Sequence, residues 1–71
     1  MKKGLKIVDG FYVNLENLCS AIFEERTIQL LFVGEELLDI CIAGTPYAPG
    51  QEVEINEFRR IEREVKTYLE I

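Results

Sequence analysis

Between Thr27 and Gly44 the chain reads TIQLLFVGEELLDICIAG, and this stretch constrains the fold more than any other. A strand with one wet face alternates apolar and polar side chains. Here Ile28, Leu30 and Phe32 form one apolar row, while Leu31 and Val33 put apolar side chains on the row between. Any architecture built on this strand has to account for two apolar faces.

The rest of the stretch supplies its partner. Gly34-Glu35-Glu36 reads as a three-residue loop leading into a strand over 37–43, which pairs Phe32 with Leu38, Leu30 with Ile40 and Ile28 with Ile42. That register places six large apolar side chains on one face. Upstream, Asp9-Gly10 is a strong hairpin dipeptide between strands at 5–8 and 11–15. A bend around Asn14 and Asn17 precedes a strand at 18–24, and Glu25-Arg26 reverses the chain into the strand at 27–33.

Downstream, residues 44–50 are a loop by composition, with Pro49-Gly50 suited to a type II turn. Residues 51–55 read equally as a short edge strand or as the first turn of a helix. Asn56 is a good N-cap. From there Phe58, Ile61, Val65, Tyr68 and Leu69 recur at helical steps over about 56–70. Glu62 with Lys66 and Arg60 with Glu64 are ion-pair spacings on the opposite side, so Arg59, Arg60, Arg63 and Lys66 read as part of a salt-bridged solvent face. The expected fold is α+β: one small domain over 1–71, an antiparallel β-meander of four to five strands with one C-terminal α-helix packed on one face.

A single helix is roughly 10 Å wide and covers one face of such a sheet. The second face carries Leu31, Val33, Leu37, Cys41 and Ala43, interrupted by Gln29 and Asp39. The 18–24 strand adds either Leu18 and Ile22 or Cys19, Ala21 and Phe23, depending on its register. Either the N-terminal hairpin crosses this face to close a small barrel, or a second chain covers it. The tight Asp9-Gly10 turn favours a hairpin that extends the sheet. The expectation is therefore a homo-oligomer, a two-fold dimer being the simplest, with Leu31, Val33, Leu37, Cys41 and Ala43 at its interface.

Composition narrows the functional classes. With 71 residues, 48% apolar and 30% charged, the chain is globular in composition. It contains no histidine and a single serine, Ser20, which removes the usual general base and serine-type catalysis. Its two cysteines, Cys19 and Cys41, have no CxxC spacing and are expected to be small, free core hydrophobes. No EF-hand or phosphate-loop pattern occurs. The expectation is a non-enzyme with no catalytic, cofactor or metal site.

The net charge of −5 is unevenly spread: residues 9–57 hold ten acids against Arg26 alone. A body this acidic repels phosphate backbones, so nucleic acid is not an expected partner. Lys2, Lys3 and Lys6 read as a solubilising arm. Met1-Lys2-Lys3 is followed by no apolar segment, and no run is long enough to span a membrane, so a cytoplasmic location without membrane attachment is expected.

The loop Gly44-Thr45-Pro46-Tyr47-Ala48-Pro49-Gly50 has two readings: a stiff connector with Tyr47 folded back, or a contact loop presenting Thr45 and Tyr47 to another protein. The apolar rhythm of VNLENLCSAIF and TIQLLFVGEELLDI, followed by a short helix, is similar to that of many small bacterial and phage sheet-plus-helix proteins. A small flagellar motility family has a comparable beat. The resemblance is one of apolar positions and carries no function.

Two functional classes follow. The first is a non-enzymatic protein-interaction module that self-associates through the second face of its sheet. The alternative is a small acidic inhibitor, of a kind phages encode, in which Glu24, Glu25, Glu35 and Glu36 mimic nucleic acid or mask a basic enzyme surface. The first depends on apolar side chains, the second on carboxylates.

Overall fold

The computed structural model describes residues 4–47 and 50–71. Its elements run β1 (Gly4–Val8), β2 (Phe11–Asn14), a 3₁₀ turn (Leu15–Asn17), β3 (Leu18–Phe23), β4 (Thr27–Phe32), β5 (Glu36–Ile42), β6 (Gln51–Val53) and α1 (Ile55–Leu69). The class is α+β, and each expected strand is present within a residue or so of its expected ends. The Pro49-Gly50 turn falls partly outside the described residues.

The sheet is not a pure meander. Among the described residues β1 and β2 pair only with each other, and a separate four-stranded sheet has the order β3-β4-β5-β6. β6 lies parallel to β5, with Ile40, Cys41 and Ile42 opposite Gln51, Glu52 and Val53. Residues 51–55 thus divide between a three-residue strand and the start of the helix.

The β4–β5 register also differs from expectation. Phe32 faces Glu36, Leu30 faces Leu38 and Ile28 faces Ile40, so the turn is Val33-Gly34-Glu35, one residue earlier than expected. Gly34 and Glu35 both take positive φ, 88° and 63°, which places the tight reversal on that pair. The partners have slipped by two residues, and a two-residue slip leaves the faces unchanged. Leu38 and Ile40 therefore still share the inner face with Ile28 and Leu30.

The inner face is covered from two sides. Leu5 and Ile7 of the hairpin and Phe58, Ile61 and Val65 of α1 are fully buried in one cluster with Ile28, Leu30, Ile40 and Val53. The expected helix face is confirmed at those three positions, with Leu69 half-buried and Tyr68 left at the exposed margin. The hairpin neither extends the four-stranded sheet nor crosses its second face. Its Leu5 and Ile7 carry large apolar side chains that the inner core absorbs.

Helix α1 begins without the cap expected of Asn56. Glu54 is the capping position and makes no side-chain bond to the helix; its carbonyl accepts the amide of Phe58 at 2.8 Å, placing Asn56 inside the first turn. The helix closes at Glu70, whose left-handed backbone (φ 61°) lets the Ile71 amide reach the Lys66 carbonyl at 3.0 Å. Both expected helical ion pairs form, Glu62 with Lys66 at 3.5 Å and Arg60 with Glu64 at 2.7 Å. Arg60, however, is not a solvent-face residue. Its side chain is 22% exposed and its guanidinium also reaches Glu57 and the Lys6 carbonyl. No helix of the described residues is long and apolar enough to cross a membrane.

Candidate interaction surface

The outer face of the four-stranded sheet is built in transverse rows. Ser20, Leu31 and Leu37 form one, and Ile22, Gln29 and Asp39 the next. Thr27, Cys41 and Glu52 form a third. β3 reaches these rows by way of a bulge between Leu18 and Ser20, which takes up Cys19. The bulge resolves the register ambiguity in neither of the two expected ways: Leu18, Ala21 and Phe23 pack on the inner core, and Ile22 stands outside with Ser20.

Leu31, Val33 and Leu37 cluster toward one end of this face, and Ile22 stands at its β3 edge in the Gln29–Asp39 row. Ile22 is 53% exposed, Val33 63% and Leu37 60%, and Leu31 lies half-buried opposite Leu37. Val33 belongs to the β4–β5 turn, and its amide donates to the Asn17 carbonyl at 2.8 Å, which carries the β3–β4 ladder to the sheet's end. A polar bar bounds the cluster, since Gln29 Nε2 donates to Asp39 Oδ1 at 3.1 Å.

The other two interface candidates sit differently. Cys41 is completely hidden from solvent within this single chain, so it offers no area to a partner. Burial pushes its thiol above the ordinary value, and the Glu52 carboxylate adds to that effect. Ala43 is exposed, just beyond the end of β5. Both cysteines are free thiols, but Cys19 is exposed on its bulge and is not a core residue.

In the 44–50 segment, Thr45 is engaged within the chain. Its hydroxyl donates to the Ile42 carbonyl at 2.6 Å and accepts from Arg26 Nε at 3.0 Å. Tyr47 stands fully in solvent in a left-handed conformation, φ 58°, so it does not fold back on the sheet. The four acidic candidates divide into two pairs. Glu24 and Glu25 lie at the β3–β4 turn and Glu35 and Glu36 at the β4–β5 turn, on opposite ends of β4; six strand residues separate them by roughly 20 Å. Glu24 also accepts the Thr27 hydroxyl at 2.9 Å.

Among the described residues, no group of three or more Cys, Asp or Glu side chains is gathered closely enough to hold a metal ion. An open groove runs between Gly4, Leu15 and the helix residues Arg63, Thr67 and Tyr68, on the other side of the core from the apolar cluster. Comparison with protein-family models, curated protein sequences and solved structures returned no match to this chain.

Of the residues of the 18–24 strand whose face the sequence left open, Ile22 is the large apolar one that stands on the outer face. A bulge shifts side-chain parity by one, and the bulged segment, Leu18-Cys19-Ser20, contains neither glycine nor proline to mark it.

Proposed function

We propose that this chain is a non-enzymatic interaction module that self-associates through the outer face of its four-stranded sheet. The observation that carries the reading is the placement of both covering elements, hairpin and helix, on the inner face. Ile22, Leu31, Val33 and Leu37 are left against water. Each large apolar side chain transferred from water into a packed contact contributes about 1.5–3 kcal/mol, and a two-fold axis lets this one cluster cover its own copy. Gln29 and Asp39, bonded to each other, present a polar border of the kind that rims such contacts.

Sedimentation or light scattering across the micromolar range tests this reading. The wild-type chain is expected to weigh more than one 8.2 kDa protomer. Leu37→Lys dissociates the assembly and keeps the fold, whereas Leu30→Lys, at a fully buried inner position, unfolds it. Charge reversal at Glu24, Glu25, Glu35 and Glu36 leaves the association in place, and would abolish binding only by an acidic mimic. A stable monomer at high micromolar concentration rules the reading out.

A further inference from the structure

Beyond the face, the sheet has an open edge. Among the described residues, β3 pairs with β4 on one side and with no strand on the other, and the β1–β2 hairpin is not hydrogen-bonded to it. The direction of its main-chain groups follows from the ladder. The Glu24 amide donates to the Thr27 carbonyl at 2.9 Å, and antiparallel pairs alternate between bonded and non-bonded residues. Ile22 and Ser20 therefore aim their amides and carbonyls at β4, and Ala21 and Phe23 aim theirs away from it. Among the described residues no hydrogen bond reaches those outward groups. The usual guards of an edge strand are sparse within the strand, because Leu18–Phe23 contains no lysine and no proline, and the nearest lysine, Lys66 of α1, lies with its Nζ 5.1 Å from the Phe23 ring. The bulge at Cys19 limits regular pairing to the half from Ser20 onward.

We infer that β3 is a second contact between copies of this chain, pairing antiparallel with β3 of another copy about a two-fold axis at Ile22. In this register Ala21 faces the other copy's Phe23 and Phe23 its Ala21, so all the outward groups of both residues are satisfied without using the bulge. Ile22 meets its own copy as a non-bonded pair, with backbones roughly 4.5 Å apart, and its 53% exposed side chain is covered. The copies' Glu24 residues stand four strand steps apart, about 13 Å, beyond the screening length at physiological salt. Like charges at the strand ends therefore do not oppose the pairing. The edge axis is perpendicular to the sheet and a face-to-face axis lies parallel to it, so the two are separate two-fold contacts.

Disulfide trapping tests the edge contact. In a chain carrying Cys19→Ser, Ile22→Cys and Leu37→Lys, so that the face contact is absent, mild oxidation is expected to link most chains as covalent dimers, because non-bonded antiparallel pairs lie within disulfide reach. The wild-type Cys19 pair is six strand steps apart, about 20 Å, and is expected not to link. Sedimentation of wild type and of Leu37→Lys completes the test. If Ile22→Cys fails to link, or links no faster than Cys19, while wild type is oligomeric and Leu37→Lys is not, the edge contact is overturned and the face reading stands. If Ile22→Cys links but Leu37→Lys leaves the mass unchanged, the edge contact stands and the face reading falls. An 8.2 kDa wild-type monomer overturns both and leaves the edge to a strand of another protein.

Discussion

Arg60 Nη2 donates a 2.8 Å hydrogen bond to the main-chain carbonyl of Lys6, 54 residues away in the chain. The same guanidinium bonds Glu57 and Glu64. Burial works against its charge, but the hydrogen bonds it donates to Glu64 and Glu57 outweigh it and hold its pKa above the ordinary value. This one side chain ties helix α1 to strand β1. Arg60→Ala strands a carbonyl and two carboxylates, and is expected to cost about 1–3 kcal/mol. Arg63→Ala, on the exposed side of the helix, is expected to stay within about 0.5 kcal/mol. Equal urea midpoints for the two variants would contradict the tie.

Gly50 meets the protein more closely than any other glycine described. It has φ of 92°, and a Cβ there would lie 2.2 Å from the Asp39 carbonyl oxygen and 2.6 Å from the Asp39 Cβ. Gly34 has φ of 88° with nothing near a Cβ. Gly34→Ala is therefore expected to cost about 1–2 kcal/mol for the left-handed backbone alone. Gly50→Ala adds a backbone clash worth about 1–3 kcal/mol more. Thermal unfolding of both variants checks the order.

The two thiols are expected to differ in reactivity by orders of magnitude. Cys19 is exposed, while Cys41 is buried and held protonated above its ordinary value of 9.0. In native buffer a thiol reagent is expected to label one cysteine per chain quickly, the second only on unfolding. A folded-state pKa that is raised means the native state keeps a proton that the unfolded chain releases. Stability from Cys41 is thus complete below pH 9.0 and falls as pH rises above it. Rapid labelling of both thiols by intact mass would place Cys41 elsewhere.

At the first hairpin, Lys6 Nζ and Asp9 Oδ1 are 2.7 Å apart. The hydrogen bond from Lys6, then its charge, draws Asp9 below 3.8; the same bond raises Lys6 above 10.5. A lowered acid contributes above its unfolded value and is lost as pH falls through its folded one. A raised lysine contributes below its unfolded value and is lost as pH rises through its folded one. The pair's contribution is flat between 3.8 and 10.5 and, being open to water, is weakened by salt. An NMR titration of Asp9 with a midpoint below 3.8 is expected, and one at or above that value would remove the pair.

The inner core was largely readable from residue order. Ile28, Leu30, Phe58, Ile61 and Val65 follow the periods of a strand and a helix, and those periods survive small errors of register. Three features were not readable, each for a physical reason. The β4–β5 turn depends on Glu35 accepting a positive φ, which a glutamate does not advertise. The parallel β5–β6 pairing joins segments too short for periodicity to orient. The place of the hairpin is a tertiary choice, since a Leu5–Ile7 stripe packs as well against a helix as beside a strand. Of the candidate site, Leu31 and Leu37 were correctly assigned to one face by alternation. Cys41 shares their parity but is hidden by neighbours that pattern alone does not reveal.

The parallel seam between β5 and β6 also sets an order of assembly. β3, β4 and β5 join through short turns and pair residues close in the chain, so this three-strand ribbon forms from local encounters. β6 can dock only after the chain has turned to run parallel to β5, and α1 follows immediately behind it. Until that passage is made, Ile28, Leu30 and Ile40 lack their helical cover and β5 is an unsheltered edge. A chain whose residues 51–71 have not yet docked thus exposes Ile28, Leu30 and Ile40, and partners or chaperones that meet it in that interval meet the surface that the finished molecule hides.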